Sequence, residues 1–330
     1  MNILVIRFSS LGDLVTLEPT FRAIRAFHLD ANITFFTTGI GKNLYKDSNY
    51  FNEYILKSTF LDTVSKLKNK SYDLVINLQC NKPSHYYSFF LRKKRTVNKS
   101  FNLFQKIFKI NTVSKNPKEL LMACINDNEI INDYFLNSNN LNIKLPVSDD
   151  QRLREEFSSK FGTKKLIAIS TGTSLRWKSK KWGRENFKKL ILQLREEFGI
   201  ILIGTELEIE DELFLKQECS DYIISYVGKT QLDKLKTILK ISDFYIGNDS
   251  GPSHIAAGVG TSTLTIFGST DIKHCVKFEK YRGEHYYLNP SKDILCAPCY
   301  KAVCPTEHEC MSDIKVNDVI KLVCCIKDNL

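Results

Sequence analysis

Residues 247–260, GNDSGPSHIAAGVG, place a carboxylate (Asp249), two hydroxyls (Ser250 and Ser253) and an imidazole (His254) directly after the apolar run DFYIGN. A plain turn needs only a glycine or a proline, whereas this one carries groups that can bind an anion or move a proton. Gly251 and Pro252 suit the start of a helix, since proline in a first turn forfeits no intrahelical bond. The exposed N–H groups and the dipole of that helix would point at an anion such as a diphosphate. The plainer reading makes Asp249 a helix cap.

Three other loops follow apolar runs in the same way. NILVIRF is followed by SSLGD, so Ser10, Gly12 and Asp13 stand just before a helical stretch. Asp13 reads either as a cap or as a carboxylate able to take a proton from a substrate. LIAIS is followed by TGTSLRWKSKKW, in which Thr171, Gly172, Thr173 and Ser174 precede Lys180 and Lys181. Hydroxyls, backbone amides and a lysine suit a phosphate, though an ordinary solvated turn has the same composition. After IILIG, Glu206 and Glu208 stand where a carboxylate can accept from ribose hydroxyls, or where acidic residues stabilise a helix's first turn.

The elements that must hold these loops alternate. NILVIRF, ANITFFTT and YDLVINLQ predict strands, with a helix from about Thr16 to His28 between the first two. The pattern weakens between Asn98 and Asp150 and then restarts: strand KKLIAIST, amphipathic helix RENFKKLILQLREEFG stopped by its glycine, strand IILIGT, helix LDKLKTILKIS, strands DFYIGN and TLTIFGS. The segment VNDVIKLVCCIKDNL predicts a closing helix. Strands alternating with helices imply parallel sheets, whose ligands bind beyond the carboxyl ends of the strands. A chain of 330 residues exceeds an ordinary single core. The reading is therefore α/β with two doubly wound domains, residues 1–150 and 151–330.

The net charge of +10 favours acidic partners. No zinc-finger spacing and no RNA-recognition aromatic motif is present, so nucleic acid is not expected. The N-terminal run lacks the form of a secretory signal, and no stretch of about 18 apolar residues occurs, which points to a cytoplasmic protein. LRKKRTVNKSFNLFQKIFKI contains Arg92, Lys93, Lys94 and Arg95; it reads as a solvated loop leading into a strand, or as a contact for anionic lipid.

Ten cysteines are many for such a chain. Cys80, Cys124, Cys219 and Cys275 are scattered and read as small buried hydrophobes, and the adjacent Cys324 and Cys325 as packing residues. Cys296, Cys299, Cys304 and Cys310 have C-x2-C-x4-C-x5-C spacing, which fits either a closed structural zinc site, with His308 as a spare ligand, or chance clustering.

ILVIRFSSLGDLVTLEPTFRAIR and GNDSGPSHIAAGVGTSTLTIFGSTD together resemble the two ends of glycosyltransferase family 9, the heptosyltransferases of lipopolysaccharide assembly. SYDLVINLQ and YVGKTQLDKLKTILKISDFYIGND match the same pattern, which covers most of the chain. The resemblance implies a GT-B architecture of two Rossmann-like domains facing a central cleft, with the acceptor on the N-terminal domain and the nucleotide sugar on the C-terminal one. It implies a metal-independent inverting transfer of heptose from ADP-heptose to a Kdo or heptose of the inner core. By resemblance Asp13 takes the place of the catalytic base, with Ser10 and Gly12 on the acceptor-side loop. Asp249, Ser250, Gly251 and His254 fall in the donor diphosphate loop, and Thr171, Lys180, Glu208 and Thr230 near donor contacts. The chain departs from the family pattern at STGTS, where many members have a proline-glycine turn, and at Gly183, where a proline often follows the tryptophan.

These expectations amount to a cytoplasmic, peripheral glycosyltransferase that needs no cofactor for catalysis and takes a nucleotide-sugar donor and a lipid-linked saccharide acceptor. Two rivals stand beside it: a transferase of the same fold using another nucleotide sugar, and a non-catalytic, metal-stabilised protein binding anionic lipid or nucleic acid.

Overall fold

The computed structural model describes residues 1–79, 81–98, 142–272 and 283–327. The chain divides into two compact units, Met1–Pro146 and Val147–Leu330.

The first unit holds five parallel strands: β1 (Asn2–Ile6), β2 (Asn32–Thr37), β3 (Glu53–Leu56), β4 (Ser71–Asn77) and β5 (Arg92–Asn98). Their order is β3-β2-β1-β4-β5. From β1 the chain first winds outward through β2 and β3, then returns to the other side of β1. Beyond the carboxyl ends of β1 and β4 this reversal leaves a crevice, the place where such sheets receive ligands. Ile3, Leu4, Val5 and Ile6 are wholly buried, as strands covered on both faces must be, which is why β1 reads as one apolar run.

The second unit repeats the plan with six parallel strands: β6 (Lys165–Ser170), β7 (Phe198–Leu202), β8 (Ile223–Ser225), β9 (Phe244–Asn248), β10 (Ser262–Ile266) and β11 (His285–Leu288), in the order β11-β10-β9-β6-β7-β8. Its reversal lies between β6 and β9. The helices Arg184–Leu194 and Val316–Ile326 bury Phe187, Leu190 and Ile191, and Val319, Val323 and Ile326, in one core with the sheet. Both units are Rossmann-like and doubly wound, the expected α/β class.

Four local expectations are corrected. The helix expected from about Thr16 to His28 is Glu18–Phe27, but a separate short helix, Leu11–Thr16, precedes it and takes in Gly12 and Asp13, which the sequence placed just before a helix. Pro19 lacks an N–H and crowds the preceding turn, so the chain restarts there. Gly199 does not stop the helix before it but lies within β7, where a Cβ would stand 2.5 Å from Cγ of Phe161. The close ring demands the glycine. Arg92–Arg95 are not a loop but form β5 itself, at the sheet edge, where charged side chains discourage further strand pairing. Cys324 and Cys325 are exposed, the helix turning Val323 and Ile326 inward instead. Cys219 is buried as expected, while Cys80, Cys124 and Cys275 lie outside the described residues.

Candidate active site

In the first unit the crevice between β1 and β4 is laced by polar groups. Gln79, just past β4, accepts from the backbone N–H groups of Phe8 and Ser9 with Oε1, at 2.9 and 3.3 Å. Ser10 caps the helix Leu11–Thr16, and Asp13 is the acid of its capping box. Asp13 Oδ2 accepts from Ser10 N at 3.0 Å and from Ser10 Oγ at 2.9 Å. The same oxygen lies 2.7 Å from Nη2 of Arg7. Arg7 is nearly buried, donates Nη1 to the Leu78 carbonyl at 2.7 Å, and leaves its Nε without a partner among the described residues. A cation with so little water needs a carboxylate beside it. Asp13 supplies one while half of its own side chain stays exposed. It thus serves as capping partner and as a carboxylate presented at the crevice. Gly12 is half-buried in the same turn.

In the second unit, four strand ends contribute. Asn248, at the end of β9 and wholly buried, donates Nδ2 to the carbonyls of Thr171 (2.8 Å) and Gly172 (3.2 Å) and accepts at Oδ1 from Trp182 N (3.0 Å). One amide thereby ties the loop after β6 to the lysine-bearing segment. Lys180 closes the short helical turn Lys178–Lys180 and places Nζ 2.5 Å from Oδ2 of Asp249. Thr270 donates to that same oxygen at 2.8 Å. Asp249 is 5 % exposed and is not the cap of the next helix. Ser250 is that cap, and Gly251–Val259 follows with Pro252 in its first turn. His254 is buried one turn into the helix.

Glu208 ends the short turn Glu206–Glu208 after β7 and accepts at Oε2 from both N and Oγ of Thr205, at 2.8 Å each. Glu208 thus stands in an acidic helical turn, and the same carboxylate also lies against the β6 loop: a Cβ on Gly172 would stand 2.4 Å from Oε1. Thr171, Lys180, Glu208 and Asp249 are therefore gathered by Asn248 and Gly172 around the β6–β9 reversal. Thr230 is half-buried in the turn after β8, whose Gly228 donates to the Gly204 carbonyl at 3.0 Å.

The cysteine-rich segment reaches this site. Ser179, beside Lys180, donates its N–H to the Ala302 carbonyl at 3.1 Å and its Oγ to the Lys301 carbonyl at 2.5 Å, and shares a hydrogen with Ser269 Oγ at 3.0 Å. His308 places Nε2 2.5 Å from the Ser179 carbonyl. Among the described residues no group of three or more His, Cys, Asp or Glu side chains is set closely enough to hold a metal ion. Cys310 is buried, and burial pushes its thiol up to about 11, with Cys304, Cys299 and Cys296 adding to the shift.

Arg7, Asn248 and Ser179 were not singled out by the sequence, and His308, read there only as a spare metal ligand, instead meets the Ser179 carbonyl. An arginine ending an otherwise apolar strand and an asparagine closing DFYIGN were the available signals.

Two parallel, doubly wound units with polar loops at both reversals define a two-domain, Rossmann-like α/β protein. The chain belongs to glycosyltransferase family 9 (heptosyltransferase), whose model matches residues 61–309. It is 28% identical over 200 residues to lipooligosaccharide heptosyltransferase 2 of Campylobacter jejuni, a match covering 57% of this chain and 60% of that protein. Over 353 aligned residues and 98% of both chains it is 26% identical to lipopolysaccharide heptosyltransferase 1 of Campylobacter coli. The structure of the ADP-heptose lipopolysaccharide heptosyltransferase II of Escherichia coli superposes with a TM-score of 0.75 over 100% of both chains at 17% identity. The fold is thus GT-B, and the chain spans about 60% of the length of the first of these relatives.

Proposed function

We propose that the protein transfers a heptose from ADP-heptose to an inner-core sugar of lipopolysaccharide, with inversion and without a catalytic metal. The observation that carries this reading is the Lys180–Asp249 pair set before the N-terminus of the helix Gly251–Val259, with Glu208 seated on Gly172 beside it. The relatives' names supply the sugar: each is a heptosyltransferase, and the E. coli structure is of one that uses ADP-heptose.

In the proposed reaction Asp13 takes the proton of the acceptor hydroxyl as its oxygen bonds to the anomeric carbon of the heptose. The bond from that carbon to the β-phosphate oxygen breaks on the opposite face, and ADP leaves. Lys180 and the free N–H groups of the Gly251–Val259 helix stabilise the departing diphosphate. Glu208 and Thr171 are assigned to the nucleoside end, His254 and Thr230 to the donor side generally, and Ser10 and Gly12 to the acceptor side.

Two further proposals accompany it. Cys296, Cys299, Cys304 and Cys310 bind a structural zinc ion, which requires the four side chains to turn toward one another; their spacing supports this, and metal analysis of the purified protein tests it. The protein works in the cytoplasm against an anionic membrane that presents its lipid-linked acceptor. Among the described residues no helix is long and apolar enough to cross that membrane.

Calorimetric titration with ADP, UDP and GDP, without added metal, is the first test. Binding of ADP alone is expected; preference for UDP or GDP overturns the heptose assignment. Asp13→Ala is expected to abolish transfer with ADP affinity intact, whereas lost ADP affinity would reduce Asp13 to a structural cap.

A further inference from the structure

The first unit exposes an apolar cluster that its core does not use. Phe60 and Leu61 open the helix Phe60–Lys68, and Phe89 and Phe90 end the helix Lys82–Phe89. Their exposures are 43, 80, 67 and 40 %. The cluster is built rather than incidental: Phe60 and Phe90 have ring centroids 5.8 Å apart, Phe89 and Phe90 5.4 Å, and Phe60 lies 5.3 Å from the buried ring of Tyr87. Single exposed hydrophobic residues need no explanation, but a contiguous set on an anchored base marks an interaction surface.

Charge identifies the occupant. Lys68 places Nζ 5.2 Å over the Phe90 ring, and Lys57 places its own 5.1 Å over Phe8. Neither lysine has a carboxylate partner among the described residues. Asp62, on the same helix as Phe60 and Leu61, is already paired with Lys66 at 2.7 Å. The tip therefore combines exposed apolar side chains with two cations that, among the described residues, no carboxylate compensates, the arrangement that suits an interface of lipid tails and anionic headgroups. Among the described residues, the four side chains at these two helix ends are too few to cover the roughly 800 Å² per partner that a stable protein interface buries.

We infer that the Phe60–Leu61 and Phe89–Phe90 tip, flanked by Lys57 and Lys68, docks the first unit on an anionic lipid bilayer. This names the surface for the membrane contact proposed above and is independent of the sugar transferred. Leu61 and Phe89 enter the headgroup region, while Lys57 and Lys68 remain at the level of the lipid phosphates.

Vesicle flotation without donor or acceptor tests it, so that the outcome does not depend on transfer activity. The wild-type chain is expected to float with phosphatidylglycerol-rich vesicles and not with pure phosphatidylcholine. Leu61→Ser/Phe89→Ser should lower the bound fraction by about tenfold or more, and Lys57→Gln/Lys68→Gln should weaken binding and its dependence on salt. ADP titration of each variant verifies that the chain is folded. As a measurement free of that concern, Leu61→Trp should show blue-shifted emission on adding the anionic vesicles. The inference is overturned if the wild type does not float, if the serine variant floats as well as the wild type, or if Leu61→Trp emission stays unchanged while the protein is bound. A wild-type dimer dispersed by the serine variant would also overturn it, since a second copy would then be the occupant.

Discussion

Lys180 and Asp249 come from loops 69 residues apart and meet at 2.5 Å, with Thr270 on the same carboxylate oxygen. Both side chains are largely buried, so removing one leaves the other charge with little water and no counter-ion. Lys180→Ala is expected to cost about 3 kcal/mol of stability as well as ADP affinity. Lys180→Ala/Asp249→Asn should recover most of the stability and none of the affinity. Urea unfolding and calorimetry on the same samples separate the two effects.

Gly172 and Glu208 are coupled by contact. A methyl group at residue 172 would collide with a side chain that is buried and held twice by Thr205. Gly172→Ala should therefore displace Glu208, costing about 1–3 kcal/mol. If Glu208 contacts the nucleoside, Glu208→Gln should weaken ADP while leaving inorganic diphosphate binding unchanged. Competition titrations with the two ligands check this.

Arg7 is a positioning residue for Asp13. Arg7→Met removes the buried cation without a large change of volume, and the Asp13 side chain loses the partner that fixes it. The expected result is a kcat lowered by about tenfold to a hundredfold, less than for Asp13→Ala, with the KM for ADP-heptose nearly unchanged. An unchanged kcat would show that Arg7 serves only the fold.

The first unit should weaken in acid. His85 is held below its ordinary value of 6.5 by burial, and His28 by burial with Arg25 adding. His85 Nδ1 also stands 3.5 Å from the Asn77 amide, where a neutral ring can accept and a protonated one cannot. An unfolded chain takes these protons near 6.5, the folded one only at lower pH. The contribution to stability is therefore complete above about 6.5 and lost as pH falls toward the folded-state values. Urea midpoints at about pH 7.5 and about pH 5.5 should differ, and His85→Asn should reduce the difference.

The doubly wound plan was legible because strands buried on both faces are uninterrupted apolar runs, as in Ile3–Ile6 and Phe244–Ile246. The polar loops were legible because they break those runs with Asp, Ser and Lys. What escaped was long-range. Asn248 reveals its role only through carbonyls 76 and 77 residues away, and Ser179 through Lys301, 122 residues on. Asp13 remained double in the sequence because a capping acid and a catalytic acid share one residue type at one helix position; the structure adds Arg7, a partner that a cap does not need. β5 was misread because edge position, which tolerates Arg92 to Arg95, is set by topology and not by the segment's own hydropathy.

The turn that carries Lys180 is fastened by His308, 129 residues further along the chain. During synthesis the polypeptide emerges from its N-terminus, so β6, Lys180 and Asp249 are all outside the ribosome before their last fastener exists. That turn is completed only when the cysteine-rich segment arrives. A nascent or prematurely terminated chain can thus form most of both sheets while its lysine turn stays loose. The setting of Lys180 is in this sense a late event, waiting on a residue made 129 positions after Ser179.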